Sequence, residues 1–195
     1  MEESANIPAL KAALRQNLRA QVAAISPAVR AVESLALCER LAPQLRSARR
    51  ILFFAPLPDE PDVWPLLEQC LASGQTCALP GFDATTQTYA ARRVTDLATG
   101  MVAGKFGIRE PAPASAEIPL EDFHVILVPG VAFDWRGHRL GRGRGFYDRL
   151  LAGAGGIKCG VGYDCQLLPE IPADGRDVKV DFVFTPDRGI RRREG

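Results

Sequence analysis

Hydrophobic residues at helical spacing lie near the start of the chain. Leucines recur every four residues from Leu10 to Leu18, with polar residues between them, which predicts an amphipathic helix over residues 8–25. Ser26-Pro27 is typical of an N-cap followed by a first-turn proline, so a second helix is expected through about Arg46. The first part of the chain is therefore predicted to form two helices.

Short apolar segments bounded by glycine, proline or charged residues follow, and they are typical of buried strands. The predicted strands are RILFFAPLP (50–58), TCALPGF (76–82), TQTYAARRV (86–94), HVILVPGVAF (124–133), IKCGVGYD (157–164) and DFVFTP (181–186). Further helices are predicted over residues 62–73 and 145–151, and the Gly-, Pro- and Ala-rich region 96–120 is expected to be loop. Strands alternating with helices predict one α/β domain over the whole chain, with a mostly parallel central sheet flanked by helices. Residues 1–7 and 187–195 are expected to be flexible tails.

The composition adds few special features to this picture. Of 195 residues, 47% are hydrophobic and 24% are charged, and the net charge is only +1, so no global field directs the chain to nucleic acid or to a membrane. The start of the chain lacks the pattern of a signal peptide, and no apolar run is long enough to span a bilayer. Five cysteines without C-x-x-C spacing argue against a disulfide framework and against a zinc site. These features favour a cytoplasmic monomer that acts on small molecules, without a nucleic-acid or membrane partner.

Positive charge is concentrated in one segment. Residues 136–149 contain five arginines and one aspartate, and GRGRGFYDRLL (141–151) places three alternating glycines before a predicted helix. The glycines allow successive N–H groups to turn toward an anion, and the arginine side chains suit phosphate oxygens. In parallel sheets the ligand crevice lies beyond the carboxyl ends of the strands, where the loop 134–145 is expected. A carboxylate at Asp148 could hold a Mg²⁺ ion that bridges phosphates.

Several interpretations of this segment remain open. It matches neither G-x-G-x-x-G, because Arg144 replaces a required glycine, nor a Walker loop. It could be a Gly-rich turn with exposed arginines, with Asp148 only complementing a helix dipole. It could also belong to a nucleic-acid-binding module, although aromatic residues are not interleaved with the basic ones.

A longer pattern favours one interpretation by resemblance. The segment LVPGVAFDWRGHRLGRGRGFYDRLL (127–151) closely resembles the signature of the 5-formyltetrahydrofolate cyclo-ligase family, also called methenyltetrahydrofolate synthetases. Shorter motifs occur in the family's order: Lys11-x-x-Leu14-Arg15, Pro-Asp59-Glu60, Ala78-Leu79-Pro80, Gly107-Ile108-x-Glu110-Pro111 and Lys179-Val180-Asp181. The resemblance implies the fold of ribose-phosphate isomerase and CoA-transferase-like proteins. It also implies ATP- and Mg²⁺-dependent closure of 5-formyltetrahydrofolate to 5,10-methenyltetrahydrofolate, with release of ADP and phosphate.

The resemblance also implies roles for individual residues. The expected ATP-binding residues are Lys11, Arg15, Arg139, Leu140, Gly141, Arg142, Gly143, Arg144, Gly145, Phe146 and Tyr147, of which Arg144 contacts the transferring phosphate and is the expected catalytic residue. The expected folate-binding residues are Arg15, Ala55, Glu60, Phe106 and Tyr147. The expected Mg²⁺ ligands are Asp148 and Asp181. From sequence alone, Glu60 could instead be a solvated turn acid and Phe106 an ordinary core residue.

Three residues depart from the family pattern. Pro61 follows Glu60 where an aliphatic residue is usual, and Arg142 and Phe146 stand where bacterial members commonly carry tyrosine. None of these changes removes a charge that the reaction needs. The implied chemistry depends on positioning and charge neutralisation rather than on a protein nucleophile, which fits a chain with only two histidines. A catalytically silent relative that binds folate or nucleotide is the alternative.

Overall fold

The computed structural model describes residues 3–83, 88–104, 107–174 and 177–193. The α-helices in these ranges are α1 (Glu3–Ala24), α2 (Pro27–Leu45), α3 (Trp64–Ala72) and α4 (Phe146–Ala152). The strands are β1 (Arg50–Leu52), β2 (Thr76–Asp83), β3 (Thr88–Val94), β4 (Met101–Ala103), β5 (Arg109–Pro111), β6 (Val125–Pro129), β7 (Ala132–Asp134), β8 (Arg139–Leu140), β9 (Ile157–Val161), β10 (Leu167–Leu168), β11 (Phe182–Phe184) and β12 (Gly189–Arg191).

A seven-stranded sheet forms the centre of the molecule, in the order β12-β11-β9-β6-β1-β2-β3. The five inner strands run parallel to one another, and the edge strands β3 and β12 pair antiparallel with β2 and β11. β6 is buried along its whole length, as expected for a parallel strand covered on both faces. Buried residues of α2 and α3 pack on this sheet in one apolar cluster. The prediction of an α/β domain with a mostly parallel sheet is therefore confirmed.

The predicted strand over residues 124–133 forms two strands. The chain turns at Gly130, where an added Cβ would lie 2.6 Å from the Phe133 ring and 3.2 Å from Arg139. β7 then leaves the large sheet and joins a three-stranded sheet in the order β10-β7-β8. This small sheet returns the chain to the carboxyl ends of the parallel strands, since Arg139 Nη1 donates to the Pro129 carbonyl. The turn expected near residues 135–137 is the tip of this hairpin.

Three local predictions need correction. The region 96–120 is not all loop, because β4 and β5 pair as an antiparallel hairpin within it. The first helix begins at Glu3, inside the predicted flexible segment 1–7. The described part of the predicted tail 187–195 contains β12, which pairs with β11 through Val183 and Ile190 and completes an edge of the sheet.

The ends of the parallel strands define two edges of the large sheet. At the carboxyl edge, β1 continues into residues 53–60 and β6 continues into the hairpin that leads to the Gly/Arg loop, here residues 141–145. At the amino edge lie the residues before each strand. No helix within the described ranges is long and apolar enough to cross a membrane.

Candidate active site

The Gly/Arg loop has a backbone that requires glycine at two positions. Gly143 has φ 96° and Gly145, which is the N-cap of α4, has φ 61°, and both values lie in the left-handed region that L side chains rarely adopt. The predicted glycine requirement is thus met at these positions. Arg144 lies between these two glycines and is exposed at the surface of the carboxyl edge, and Arg142 precedes them.

Arg142 joins the Gly/Arg loop to the corner that follows β1. Its Nη2 lies 2.6 Å from Asp59 Oδ1 and 3.1 Å from Glu60 Oε1, and its Nε donates to the same Glu60 oxygen at 3.1 Å. The three residues are called here the Asp59–Arg142–Glu60 bridge. The sequence interpretation separated Glu60, assigned to folate, from Arg142, assigned to ATP. In the structure the two side chains are in direct contact.

Glu60 is the buried member of this bridge. Its side chain is only 8% exposed, and its Oε2 accepts a hydrogen bond from the Leu57 N–H at 3.0 Å. Burial raises the pKa of Glu60 above the usual value, although the Leu57 N–H and the Arg142 guanidinium act in the opposite direction. Glu60 is therefore not a solvated turn acid.

The first helix adds two cations. Arg15 Nε donates to the Gly141 carbonyl at 2.7 Å, and its guanidinium lies beside Gly143, so this side chain contacts the Gly/Arg loop. Lys11 Nζ instead lies 3.0 Å from Asp174 Oδ2 and 2.6 Å from Asp177 Oδ2. Burial alone would lower the pKa of Lys11, but the hydrogen bonds and charges of these two aspartates outweigh it and raise the pKa.

Arg139 and Asp148 form a partly buried ion pair beneath the loop. Arg139 Nη2 lies 2.8 Å from Asp148 Oδ1, and the guanidinium carbon lies 5.5 Å from the centre of the Tyr147 ring. The Arg139 side chain is 3% exposed, whereas that of Asp148 is 29% exposed. Arg139 is thus placed to hold the start of α4, and one oxygen of Asp148 is already engaged.

Aromatic side chains connect the loop to the β2–β3 hairpin. Tyr89 contacts Phe82 at 5.0 Å and Phe146 at 4.3 Å between ring centres, and Phe146 contacts Tyr147 at 4.8 Å. Burial raises the pKa of Tyr147, so its hydroxyl stays protonated. Beside this group Glu110 is buried; its Oε2 accepts from the Phe82 N–H at 3.1 Å, and its Oε1 has no hydrogen-bond partner among the described residues.

Asp181 lies at the other edge of the sheet, which corrects its assignment beside Asp148. Its Oδ2 accepts from the Lys158 N–H at 2.9 Å, and its Oδ1 lies 3.7 Å from Arg192 Nη2. Lys158 pairs with Ile126 near the start of β6, three residues before the carboxyl end at Pro129. Three strand residues span about 10 Å. The physical reason is strand direction: Asp181 precedes a parallel strand, so it lies at the amino edge.

The remaining predicted residues fall into three groups. Arg144 lies on the loop, where its carbonyl accepts from Arg149 Nη1 at 3.3 Å, and Ala55 lies partly buried after β1. Leu140 was predicted to bind ATP. Its side chain does not support this role, because it is buried in a cluster with Leu18. Phe106 lies outside the described residues.

Sequence reasoning did not assign Asp59, Tyr89, Asp174 or Asp177 to the site. Asp59 was visible as the neighbour of Glu60, and it contacts the same arginine. The two later aspartates are more than 160 positions from Lys11. No local pattern indicates such a contact, because only the packing of α1 against the segment near residue 174 creates it.

Asp134 is another buried carboxylate near the site, in the turn that joins β7 to β8. It is 0% exposed, and its Oδ1 accepts from the N–H groups of Arg136 and His138 at 2.9 and 3.0 Å. Its Oδ2 lies 2.9 Å from His138 Nδ1 and accepts from the Ile171 N–H at 3.2 Å. This carboxylate holds together the hairpin that delivers Arg139 to the loop.

A mostly parallel α/β sheet with cations and an acidic corner at its carboxyl edge is typical of enzymes that bind small anionic ligands. Comparison with known proteins identifies the group. Residues 8–186 match the model of the 5-formyltetrahydrofolate cyclo-ligase family, and the chain belongs to this family.

Individual relatives agree with the family match. The chain is 39% identical to the 5-formyltetrahydrofolate cyclo-ligase of Mycolicibacterium smegmatis over 93% of its own length and 94% of the relative's. It is 31% identical to the enzyme of the same name from Escherichia coli over 75% and 82% of the two chains. The solved structure of Aquifex aeolicus 5,10-methenyltetrahydrofolate synthetase matches with a TM-score of 0.85 and 33% identity, over 95% of this chain and 94% of that one. Family and relatives together indicate 5-formyltetrahydrofolate cyclo-ligase activity.

Proposed function

We propose that the protein closes 5-formyltetrahydrofolate to 5,10-methenyltetrahydrofolate at the carboxyl edge of its sheet, using Mg-ATP and releasing ADP and phosphate. One observation carries the assignment of the site: the Gly/Arg loop and the corner that bears Glu60 meet through Arg142. The same place therefore offers cations for phosphate oxygens and a buried carboxylate for N–H donors of a pterin.

The proposed reaction proceeds in two steps. The formyl oxygen attacks the γ-phosphorus of ATP, the bond to the β–γ bridging oxygen breaks, and ADP leaves. N10 of the folate then attacks the activated formyl carbon, loses its proton, and the C–O bond breaks to release phosphate and the cyclic methenyl cation. Activation is needed because an amide-like oxygen is a poor leaving group. Positioning and electrostatic stabilisation provide the acceleration in such transfers.

Residues of this chain have distinct roles in that sequence. Arg144 stabilises the charge on the transferring phosphoryl group, and Arg142 and Arg15 hold the nucleotide phosphates. Lys11 supports this binding from α1, from a position where Asp174 and Asp177 already fix its ammonium group. Glu60 holds the folate, and Tyr147 lies beside both substrates. Arg139 orients the start of α4 through Asp148.

Mg²⁺ fits one of the two predicted carboxylates. Asp148 is partly exposed and only its Oδ1 is paired to Arg139, so Asp148 can add one ligand to an ion that the phosphates and water otherwise bind. Such an ion would neutralise phosphate charge. Asp181 does not fit, because it lies at the amino edge. Within the described ranges no group of three or more His, Cys, Asp or Glu residues could hold a metal ion.

The nucleic-acid alternative has less support. Arg142 pairs with two acids, Arg139 with Asp148, and Arg136 with Glu170 at 3.0 Å. Since these arginines are engaged by carboxylates of the same chain, the segment is not a continuous cationic surface for a polyanion.

The test is a turnover assay. Purified protein is mixed with 5-formyltetrahydrofolate and Mg-ATP, and the methenyl product is followed by its absorbance. We expect product only when ATP and Mg²⁺ are both present, and none when a chelator is in excess. Binding of both substrates without product would identify a catalytically silent relative instead. Tight binding of an oligonucleotide at moderate salt, without saturable ATP binding, would favour the nucleic-acid module.

A further inference from the structure

We infer that the Asp59–Arg142–Glu60 bridge makes the binding of nucleotide and of 5-formyltetrahydrofolate mutually favourable, with Asp59 as the positioning residue that holds the bridge closed. This inference rests on the proposed function. It follows from counting the hydrogen-bonding positions that the bridge occupies on each partner.

Glu60 has little acceptor capacity left while the bridge is closed. An ionised carboxylate offers about four acceptor positions. Arg142 donates to Glu60 Oε1 twice, through Nε and Nη2, and the Leu57 N–H donates to Oε2. The pyrimidine edge of a reduced pterin carries neighbouring N–H donors. Glu60 can therefore accept hydrogen bonds from both donors of that edge only after Arg142 has released Oε1.

Arg142 is committed in the same way. Its Nε and Nη2 donate to the two acids, with the shortest contact, 2.6 Å, to Asp59. A guanidinium binds phosphate best through two N–H groups of one edge. The edge formed by Nε and Nη2 is the one that Glu60 occupies. Nucleotide binding through this edge therefore also requires the bridge to open.

A small cavity lies beside the bridge, on the side that faces α1. The cavity lined by Asp59, Arg142, Gly130 and Gln166 has a volume of about 10 Å³. A cavity of that size holds about one water molecule. A substrate group therefore cannot occupy this cavity while Asp59 and Arg142 keep their present positions.

A shared condition of this kind couples the two ligands. The first ligand to bind supplies the free energy that opens the bridge, and the second binds to a bridge that is already open. Thermodynamic linkage requires the effect to be reciprocal. Asp59 and Arg142 are 38% and 33% exposed, so solvent screens part of the contact, and the coupling is expected to be about 3- to 10-fold.

The experiment measures affinity with and without the other ligand. The dissociation constant of 5-formyltetrahydrofolate is determined by calorimetry for the full chain, alone and with a saturating Mg²⁺ complex of the β,γ-imido analogue of ATP. For the wild type we expect about 3- to 10-fold tighter folate binding when the analogue is present. For Asp59→Ala we expect tighter analogue binding alone and a smaller coupling factor than in the wild type, because only the Glu60 half of the bridge remains.

Two variants make the result specific. Asp59→Glu keeps the carboxylate and should recover part of the coupling, which a merely structural role of Asp59 does not predict. Glu170→Ala breaks a comparable surface pair with Arg136 outside the site and should retain the wild-type coupling factor. Thermal melts of each variant by circular dichroism confirm that it is folded before its affinities are compared.

The outcomes separate the inference from the proposed function. Normal wild-type turnover with a folate affinity that the analogue does not change would overturn the coupling alone. An Asp59→Ala variant with the full wild-type coupling would overturn the role of Asp59 and of the bridge. A wild type that binds neither ligand would overturn the proposed function and the coupling with it.

Discussion

Asp134 and Glu60 are both buried carboxylates within one α/β domain, and they are satisfied in opposite ways. Asp134 accepts three backbone N–H groups and contacts the His138 ring, so all of its partners belong to residues 134–138 and 171. Glu60 has one backbone partner, Leu57, and otherwise depends on a half-exposed arginine from a loop 82 positions away. Backbone donors cannot leave without unfolding the turn, whereas a side chain can. A buried acid is therefore structural or functional according to whether its partners can be exchanged.

The largest expected effect is on stability, at Asp134. Asp134→Asn replaces a carboxylate that accepts several N–H groups by an amide whose own N–H₂ must face donors. We expect a loss of about 3 kcal/mol in the free energy of unfolding, because buried donors lose a charged acceptor. Urea denaturation measures it. A variant as stable as the wild type would show that the turn does not depend on this acid.

The second effect distinguishes the two arginines of the loop. Arg144→Ala should lower kcat by on the order of 10²-fold, because Arg144 is proposed to stabilise charge that develops on the transferring phosphoryl group. Arg142→Ala should act more on the affinity for ATP. Steady-state kinetics at varied ATP concentration separate kcat from KM. Small and equal effects of both changes would indicate that the loop is a simple Gly-rich turn without a role in catalysis.

The third effect concerns the exchangeable acid itself. Glu60→Gln keeps the shape of the side chain but removes its charge, so folate use should weaken by about 1.5–3 kcal/mol, the scale of a hydrogen bond that involves a charged group. ATP binding should not weaken, because loss of the Glu60 charge also releases Arg142 from the bridge. The measurement is kcat/KM for 5-formyltetrahydrofolate, with ATP affinity as the control. Normal turnover at low folate concentration would exclude Glu60 from substrate binding.

The fourth effect is a pH dependence with a defined sign. Burial raises the pKa of Glu60, so the folded chain favours its protonated form more than the unfolded chain does. As pH rises from the ordinary glutamate value of 4.5 through the raised value, ionisation of Glu60 costs folding stability. As pH falls through the same window, the ionised acid that folate needs is lost, and kcat/KM should decline. Both trends should disappear in Glu60→Gln, and trends unchanged in that variant would assign them to another group.

The smallest effect is expected next to Glu60. Pro61→Val restores the residue type usual in the family at this position. We expect little change in folate use, because no charge is altered and the corner is also held by the Leu57 contact to Glu60. Kinetics of the variant beside the wild type measure this. A loss in folate use comparable to that of Glu60→Gln would show that Pro61 orients the Glu60 side chain.

Local signals predicted the parts of the molecule that depend on neighbours in sequence. The Ser26 hydroxyl accepts from the Val29 N–H and so acts as the predicted N-cap of α2. The position of Asp181 was also open to inference, because a residue that precedes a parallel strand lies at the amino edge of the sheet. The resemblance placed Asp181 in the site, whereas strand direction places it at the opposite edge of the sheet.

Contacts between distant segments could not be predicted from the sequence. The Arg142–Glu60 contact requires β1 and the β7–β8 hairpin to end at the same edge, which depends on strand order rather than on any local pattern. The β4–β5 hairpin was missed because Gly and Pro within 96–120 indicate turns more strongly than its three-residue strands indicate pairing. Charge and spacing thus identify candidate residues, and topology decides which of them meet.

The order of strands in the large sheet has a consequence for how quickly the chain folds. β1 lies between β2 and β6, so Ile51 must find Val125, about 70 residues later, before the middle of the sheet exists. Within the large sheet, the β2–β3 and β11–β12 hairpins can form from adjacent segments. Domains dominated by such distant pairings fold over roughly milliseconds to seconds rather than microseconds. The meeting of the Gly/Arg loop with the corner that bears Glu60 therefore depends on these distant pairings and cannot precede them.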